Sequence, residues 1–379
     1  MKKLLLIGKI VLGIVLSNSA YSFEQSDLLK CSATASRCAQ GDIATSGMEA
    51  DRAAVVSVSA DIPIVKTVLF GTNRKLSGIG EESNLQSISR AFTDELSDGL
   101  IIGRVEQHIF RKNGNPIINT SHIDFFNSSE SLRIYIDYLE QSNKLSRFLY
   151  IHGVNNTFMS AVRSATSISD SKNPSIVPIA FSWPSKKWTI VDSLSTRGYD
   201  HDRARNEESI PSLSAFISKL NAVGLNNLDI FAHSRGSYLA ARYLERIFNR
   251  GNILGLVESV SLAAPDINSI MFYDLLGEMV STMDFPLTLY ISDDDKVITL
   301  SQWKNFCTNI QNSLGTNALN NIDVINVNSD TITGHDFHTS NPRVGEDYRE
   351  WLLDRRRASE RRWLVLTNES ERRFSLRLP

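Results

Sequence analysis

The stretch Leu228-Asp229-Ile230-Phe231-Ala232-His233-Ser234-Arg235-Gly236-Ser237-Tyr238-Leu239-Ala240-Ala241-Arg242-Tyr243-Leu244 decides the reading of this chain. An apolar strand-like run, Leu228 to Phe231, meets a helix-like run from Ser237 across the pentapeptide Ala232 to Gly236. Strand, sharp turn and helix is the context that holds a serine hydroxyl exposed as a nucleophile. Such a turn is strained, so the positions two before and two after the serine must be small. Ala232 and Gly236 meet that need, with Ala standing where the strict pattern has Gly.

Outward from the pentapeptide, helix and strand alternate. Before it lie a helical face at Leu132, Tyr135, Ile136 and Leu139, a strand over 148–151, a helix with Phe158, Ala161, Val162, Ala165 and Ile168, a strand over 177–183, and a helix from Ile210 to Leu220. Pro178 marks its strand as an edge or a strand start. After the pentapeptide the pattern predicts strands over 257–263, 287–292 and 322–327, with helices over 267–280 and 302–314. Repeated β-α units with continuously apolar strands mean a mostly parallel central sheet with helices on both faces. Upstream, 65–70 alternates like a strand and 100–118 is β-rich, with a turn at Asn113-Gly114-Asn115-Pro116. Residues 185–208 are polar and loop-like, the place for a small cap over the site.

The ends read differently. Lys2 and Lys3 precede the apolar run Leu4 to Leu16, and Ala20-Tyr21-Ser22 offers small residues for cleavage, so residues 1–22 are expected to be a secretory signal peptide. The run is short for a membrane span, which needs about 20 residues, and an uncleaved tilted anchor is the alternative. The expected location is therefore periplasmic or extracellular, with no integral span after cleavage. Residues 23–60 read as a linker or loosely ordered extension, 61–353 as the folded domain, and 354–379 as a charged, solvated tail. Its arginine clusters, beginning with Arg355-Arg356-Arg357, also suit an anionic surface.

The formal net charge of −2 over 379 residues gives no electrostatic footprint for nucleic acid. No phosphate loop, zinc spacing or EF-hand loop is present in the sequence, so neither metal nor cofactor is expected. Of three cysteines, Cys31 and Cys38 could pair in an oxidising compartment, and Cys307 lacks any catalytic context.

A serine nucleophile needs a base, and the base needs a carboxylate. In a Ser, acid, His chain order, His335 after the last strand is the candidate base, with His338 its rival. The acid is sought among Asp293, Asp294 and Asp295, or at Asp266 after the preceding strand. Oxyanion donors are expected from the N–H of Arg235 and from Val154 or Asn155 in the loop after 148–151. Trp183, Trp188 and Tyr199 are candidates to line an acyl pocket, or else to pack the core or cap. His152 reads as a structural hydrogen-bonder.

Taken in order, His152-Gly153-Val154-Asn155-Asn156-Thr157-Phe158, Phe181-Ser182-Trp183-Pro184-Ser185, the Ser234 pentapeptide, Leu262-Ala263-Ala264-Pro265-Asp266 and Gly334-His335 resemble the α/β-hydrolase superfamily. Within it they resemble a bacterial branch of unknown function that carries an upstream Thr-Asn-Arg segment, matched here by Thr72-Asn73-Arg74. The likeness spans roughly residues 65–353. It implies a Ser-x-x-Asp-Lys pattern that selects Asp295 among the acids, and it selects His335 over His338. Arg235 stands where that branch often has Met. The expected function is a secreted serine hydrolase that cleaves an ester or related acyl bond of a small-molecule or lipid substrate. The alternative is a non-catalytic binding protein on the same scaffold.

Overall fold

Beyond the Ser234 turn, the same logic of short apolar strands and intervening helices builds one large sheet. The computed structural model describes residues 64–77, 92–112, 115–142, 147–169, 177–188, 197–251, 255–267, 269–282, 286–292, 322–327, 335–369 and 372–377. The expected signal peptide, the 23–60 extension, the Asp293–Asp295 run and the 302–314 helix lie outside these residues, as do all three cysteines.

The described strands are β1 (Ile64–Leu76), β2 (Phe92–Lys112), β3 (Asn115–Phe125), β4 (Phe148–Ile151), β5 (Ile179–Ser182), β6 (Leu228–His233), β7 (Val257–Ala263), β8 (Leu287–Ile291), β9 (Ile322–Asn326), β10 (Leu364–Asn368) and β11 (Arg373–Leu376). They form one sheet in the order β10-β11-β9-β8-β7-β6-β4-β5-β1-β2-β3. Pairings from β11 through to β1 are parallel. The β1–β2, β2–β3 and β10–β11 pairings at the margins are antiparallel. Every residue of β4, β5, β6 and β8 is buried, which requires cover on both faces of the sheet. Pro178 sits just before β5, deep in the sheet, where its lack of an N–H costs no ladder bond and its carbonyl accepts from Leu69 N–H at 3.0 Å.

The helices are α1 (Ser129–Gln141), α2 (Phe158–Ile168), α3 (Arg197–Glu208), α4 (Ile210–Ala222), α5 (Arg235–Phe248), α6 (Ser269–Thr282), α7 (Phe337–Ser340) and α8 (Pro342–Asp354). Ser128 and Thr157 start α1 and α2 with reciprocal capping boxes, and Pro211 opens α4 where its missing N–H has no helical partner anyway.

Two expectations are corrected. Much of the loop-like 185–208 segment is helix α3. Its inward stripe, Gly198, Asp202 and Asn206 at a spacing of four, is buried but not apolar, so hydrophobic periodicity could not reveal it. The segment expected to be a solvated tail instead completes the domain, because β11 inserts between β9 and β10. Three of its arginines are paired with acids of the domain. Arg355 is bidentate on Asp229 at 2.7 and 3.0 Å, Arg361 meets buried Asp347 at 3.0 Å, and Arg372 pairs with Asp323.

Candidate active site

Ser234 stands between β6 and α5 with φ 51° and ψ −125°. A non-glycine residue at positive φ is held there only by its surroundings, and the hold is visible. Ser234 N–H donates to the Ala263 carbonyl at 2.9 Å, and its own carbonyl accepts from Ser237 N–H at 2.9 Å and Asp266 N–H at 3.1 Å. Gly236 is small because a Cβ there would lie 2.5 Å from the His152 carbonyl oxygen and 2.6 Å from that of Ile151. Gly153 is small because a Cβ there would lie 2.7 Å from the Ser234 Cβ. The loop after β4 is thus pressed directly onto the serine.

Arg235 is the first residue of α5, so its N–H has no carbonyl four residues back and lies at the positive end of the helix dipole. Of the loop candidates, Asn155 is already engaged. Its N–H is already given to Asp202 Oδ2 at 3.0 Å. Arg235 and Val154 remain as the backbone pair.

His335 is brought to the turn by the residue that precedes the nucleophile. His233 Nε2 lies 3.2 Å from the His335 carbonyl oxygen, and their rings are 4.9 Å apart. His335 is 8% exposed. His338, its rival, lies deeper in the packing. Its ring stacks on His233 at 3.6 Å and its Nε2 is 3.2 Å from the Tyr150 hydroxyl. Burial, reinforced by the charge of a protonated His335, pushes His338 down to about 3. His233 is driven well below the ordinary range by burial first, then by its two histidine neighbours. His233, Asp336 and His338 offer three donor atoms within 4.8 Å of one another. Metal bonds to imidazole lie in the ring plane, however, and these two rings are stacked only 21° from parallel. Their lone pairs do not converge at the roughly 2.0–2.1 Å that a zinc–nitrogen bond needs, so the arrangement is a packed stack and not a cage.

His152 is a structural residue, as expected. Its Nδ1 is 2.7 Å from the Gly153 carbonyl, its ring stacks on Trp183 at 5.0 Å, and burial, aided by the Arg74 charge, lowers it to about 3. Trp183 is fully buried in that stack and gives its Nε1–H to the His152 carbonyl at 2.7 Å, so it belongs to the core and not to a pocket wall. Trp188 and Tyr199 remain half-buried around the site. Trp188 Nε1–H donates to Asp202 at 3.1 Å, and the Tyr199 hydroxyl donates to Asp266 Oδ2 at 2.6 Å. That bond, and the Arg235 guanidinium 4.0 Å away, engage Asp266 in holding the elbow. Asp295 lies outside the described residues.

Two buried charges proved central that motif reading did not place. Arg74, 1% exposed, donates to Ser182 Oγ at 2.9 Å and to the carbonyls of Ser185 at 2.9 Å and Asn156 at 2.8 Å. Burial lowers it to about 9, which leaves it protonated at neutral pH. Thr72 and Asn73 beside it donate to the Ser182 carbonyl and Ser209 Oγ at 2.6 and 2.9 Å, so the Thr-Asn-Arg segment is a brace for the loops around the serine. Asp202, fully buried, accepts from Asn155 N–H, Ser185 Oγ–H and Lys186 N–H as well as Trp188. No local signal marks Asp202. It is one acid among many in a polar helix, and its donors come from segments far off in sequence.

Residues 129–356 match the family described as alpha/beta hydrolase of unknown function (DUF900). No curated protein matches the chain. Among solved structures it is similar to an uncharacterized protein from Bacillus cereus ATCC 10987, at 15% identity and TM-score 0.39 over 63% of this chain and 65% of that one. It is also similar to a CIB-like hydrolase from Thermoplasma acidophilum, at 14% identity and TM-score 0.34 over 66% of this chain and 97% of the other. TT1662 from Thermus thermophilus gives 11% identity and TM-score 0.42 over 66% and 98%. With the family model covering more than half its length, and the strand–elbow–helix arrangement in place, the chain belongs to the alpha/beta hydrolases of unknown function.

Proposed function

We propose that the protein is a serine hydrolase that cleaves an ester, or a related acyl bond, through an acyl-enzyme. The observation that carries this reading is Ser234 at φ 51° between β6 and α5, with glycines at the two positions where the flanking backbones close on it. Ser234 Oγ attacks the acyl carbonyl as His335 takes the hydroxyl proton. The oxyanion gathers the N–H groups of Arg235 and Val154. Collapse of the tetrahedral intermediate expels the alcohol, which receives the proton back from His335 and leaves the acyl group on Ser234. Water, deprotonated by His335, then releases the acid. Asp295, selected by the resemblance, orients His335 and stabilises its protonated form. Trp188 and Tyr199 flank the acyl group from the cap side. Carboxylesterase or lipase-like substrates, small or lipidic, suit this reading, and the N-terminal sequence supports a periplasmic or extracellular location.

The test is labelling of the mature protein by a fluorophosphonate, read by intact mass. Wild type gains one adduct and Ser234→Ala gains none. A folded wild type that stays unmodified overturns the reading and favours a binding protein on a hydrolase scaffold.

A further inference from the structure

We infer that helix α3 shapes the oxyanion loop, with Asp202 as the positioning residue through which it acts. The catalytic consequence rests on the serine-hydrolase reading, whereas the structural claim stands on the following contacts.

Asn155 has φ 56°, a left-handed conformation that asparagine tolerates better than most residues other than glycine. It is fixed on both sides. Its N–H donates to Asp202 Oδ2 at 3.0 Å, and its side-chain oxygen accepts from Trp188 N–H at 2.9 Å. Asn156 N–H donates to Ser185 Oγ at 3.1 Å, and that hydroxyl in turn donates to the same Asp202 oxygen at 2.8 Å. Successive peptide groups of the loop therefore converge on one carboxylate of α3, one directly and one through Ser185.

At its other end the loop cannot slide, because Gly153 already lies against Ser234. The Val154 peptide is held between these two anchors. A donor to an oxyanion works only when aimed in advance, so displacement of an ångström is costly. The same helix reaches the two other sides of the elbow. Tyr199 holds Asp266, whose N–H donates to the Ser234 carbonyl, and Glu207 pairs with the Arg235 guanidinium at 3.8 Å. Asp202 is fully buried and touches none of the proposed reacting atoms, which makes it a positioning residue.

The experiment compares wild type, Asp202→Asn and Ser185→Ala by thermal melting, amide exchange over residues 152–158, and fluorophosphonate kinetics resolved into kinact and KI. For Asp202→Asn that melts like wild type, exchange at Asn155 rises roughly tenfold or more. Its kinact falls about 100-fold with KI within about twofold, the signature of a lost oxyanion donor. Ser185→Ala shows the same pattern, with an exchange rise of about threefold and a kinact fall of about tenfold, and it decides the matter if Asp202→Asn does not fold. A folded variant with wild-type exchange and kinact, or a loss confined to KI, overturns the inference. If wild type itself does not label, the serine reading fails, and the exchange arm alone upholds or overturns the positioning role.

Discussion

The Ser234 elbow and the C-terminal segment solve opposite problems. The elbow brings backbone onto backbone. Gly153, Ala232 and Gly236 are small, Gly236 faces main-chain carbonyls and Gly153 the Ser234 Cβ, and the neighbouring His152, His233 and His338 are pushed toward neutrality by burial. The C-terminal segment brings charge onto charge. Arg361, 4% exposed, meets Asp347 and the Tyr290 hydroxyl, while Arg355 grips Asp229 where Trp351 Nε1–H also donates to Ser259 Oγ at 2.8 Å. Ala232, Ser234 and Gly236 are neighbours in sequence, whereas the C-terminal pairs span from 14 residues, at Arg361 and Asp347, to 126, at Arg355 and Asp229. A run of arginines therefore says nothing about exposure until its partners are known.

The contrast breaks most visibly at Arg361. Burial raises the Asp347 carboxyl against the pull of Arg361 and Tyr290, so Asp347 depends on its partner. Arg361→Ala is expected to cost about 3–5 kcal/mol in urea unfolding, because it strands a buried acid. The double variant Arg361→Met, Asp347→Leu recovers most of that. A loss under about 1 kcal/mol would show the segment to be a loosely attached tail after all. On the elbow side, Gly236→Ala forces the His152 and Ile151 carbonyls away and costs about 1–3 kcal/mol, with fluorophosphonate labelling lost as the serine turns. Labelling at the wild-type rate would show that the elbow has slack. A third test concerns pH, and its effect is small over any one pH unit. Folded His338 stays neutral to about pH 3, whereas the unfolded residue takes up a proton near pH 6.5. The unfolded state therefore binds more protons between those values, and stability falls as pH drops through that window. Its share of the slope is about 1.4 kcal/mol per pH unit, so His338→Gln should flatten the stability–pH curve by one proton. An unchanged slope would mean that His338 is protonated in the fold.

Much of the architecture was legible because parallel strands buried on both faces must be continuously apolar. Leu287–Ile291 lies within the expected 287–292, while Leu228–His233 runs two residues past the expected 228–231 and carries the buried Asp229 that Arg355 meets. The elbow was legible because steric demand selects residue type at fixed offsets. Val154 and Asn155 stayed open as alternatives because the spacing that nominates a loop donor cannot reveal that Asp202 accepts the Asn155 N–H. Trp183 was left open between pocket and core because an aromatic beside a catalytic motif serves either equally well, and only its stack on His152 separates the two. α3 escaped notice because its buried stripe is polar, and the final strands because their charges find partners only after folding.

The pairing of Arg355 with Asp229 spans 126 residues, and this has a consequence in time. A chain made from its N-terminus presents β6, the elbow serine and its glycines long before the arginine that neutralises Asp229 exists. Until then the nascent sheet holds an uncompensated anion in its middle and an open margin beside β9. Chains truncated before Arg355 are thus expected to stay soft and susceptible to proteolysis, and those that extend through β11 to resist it, because ion pairing and strand insertion then close the domain together.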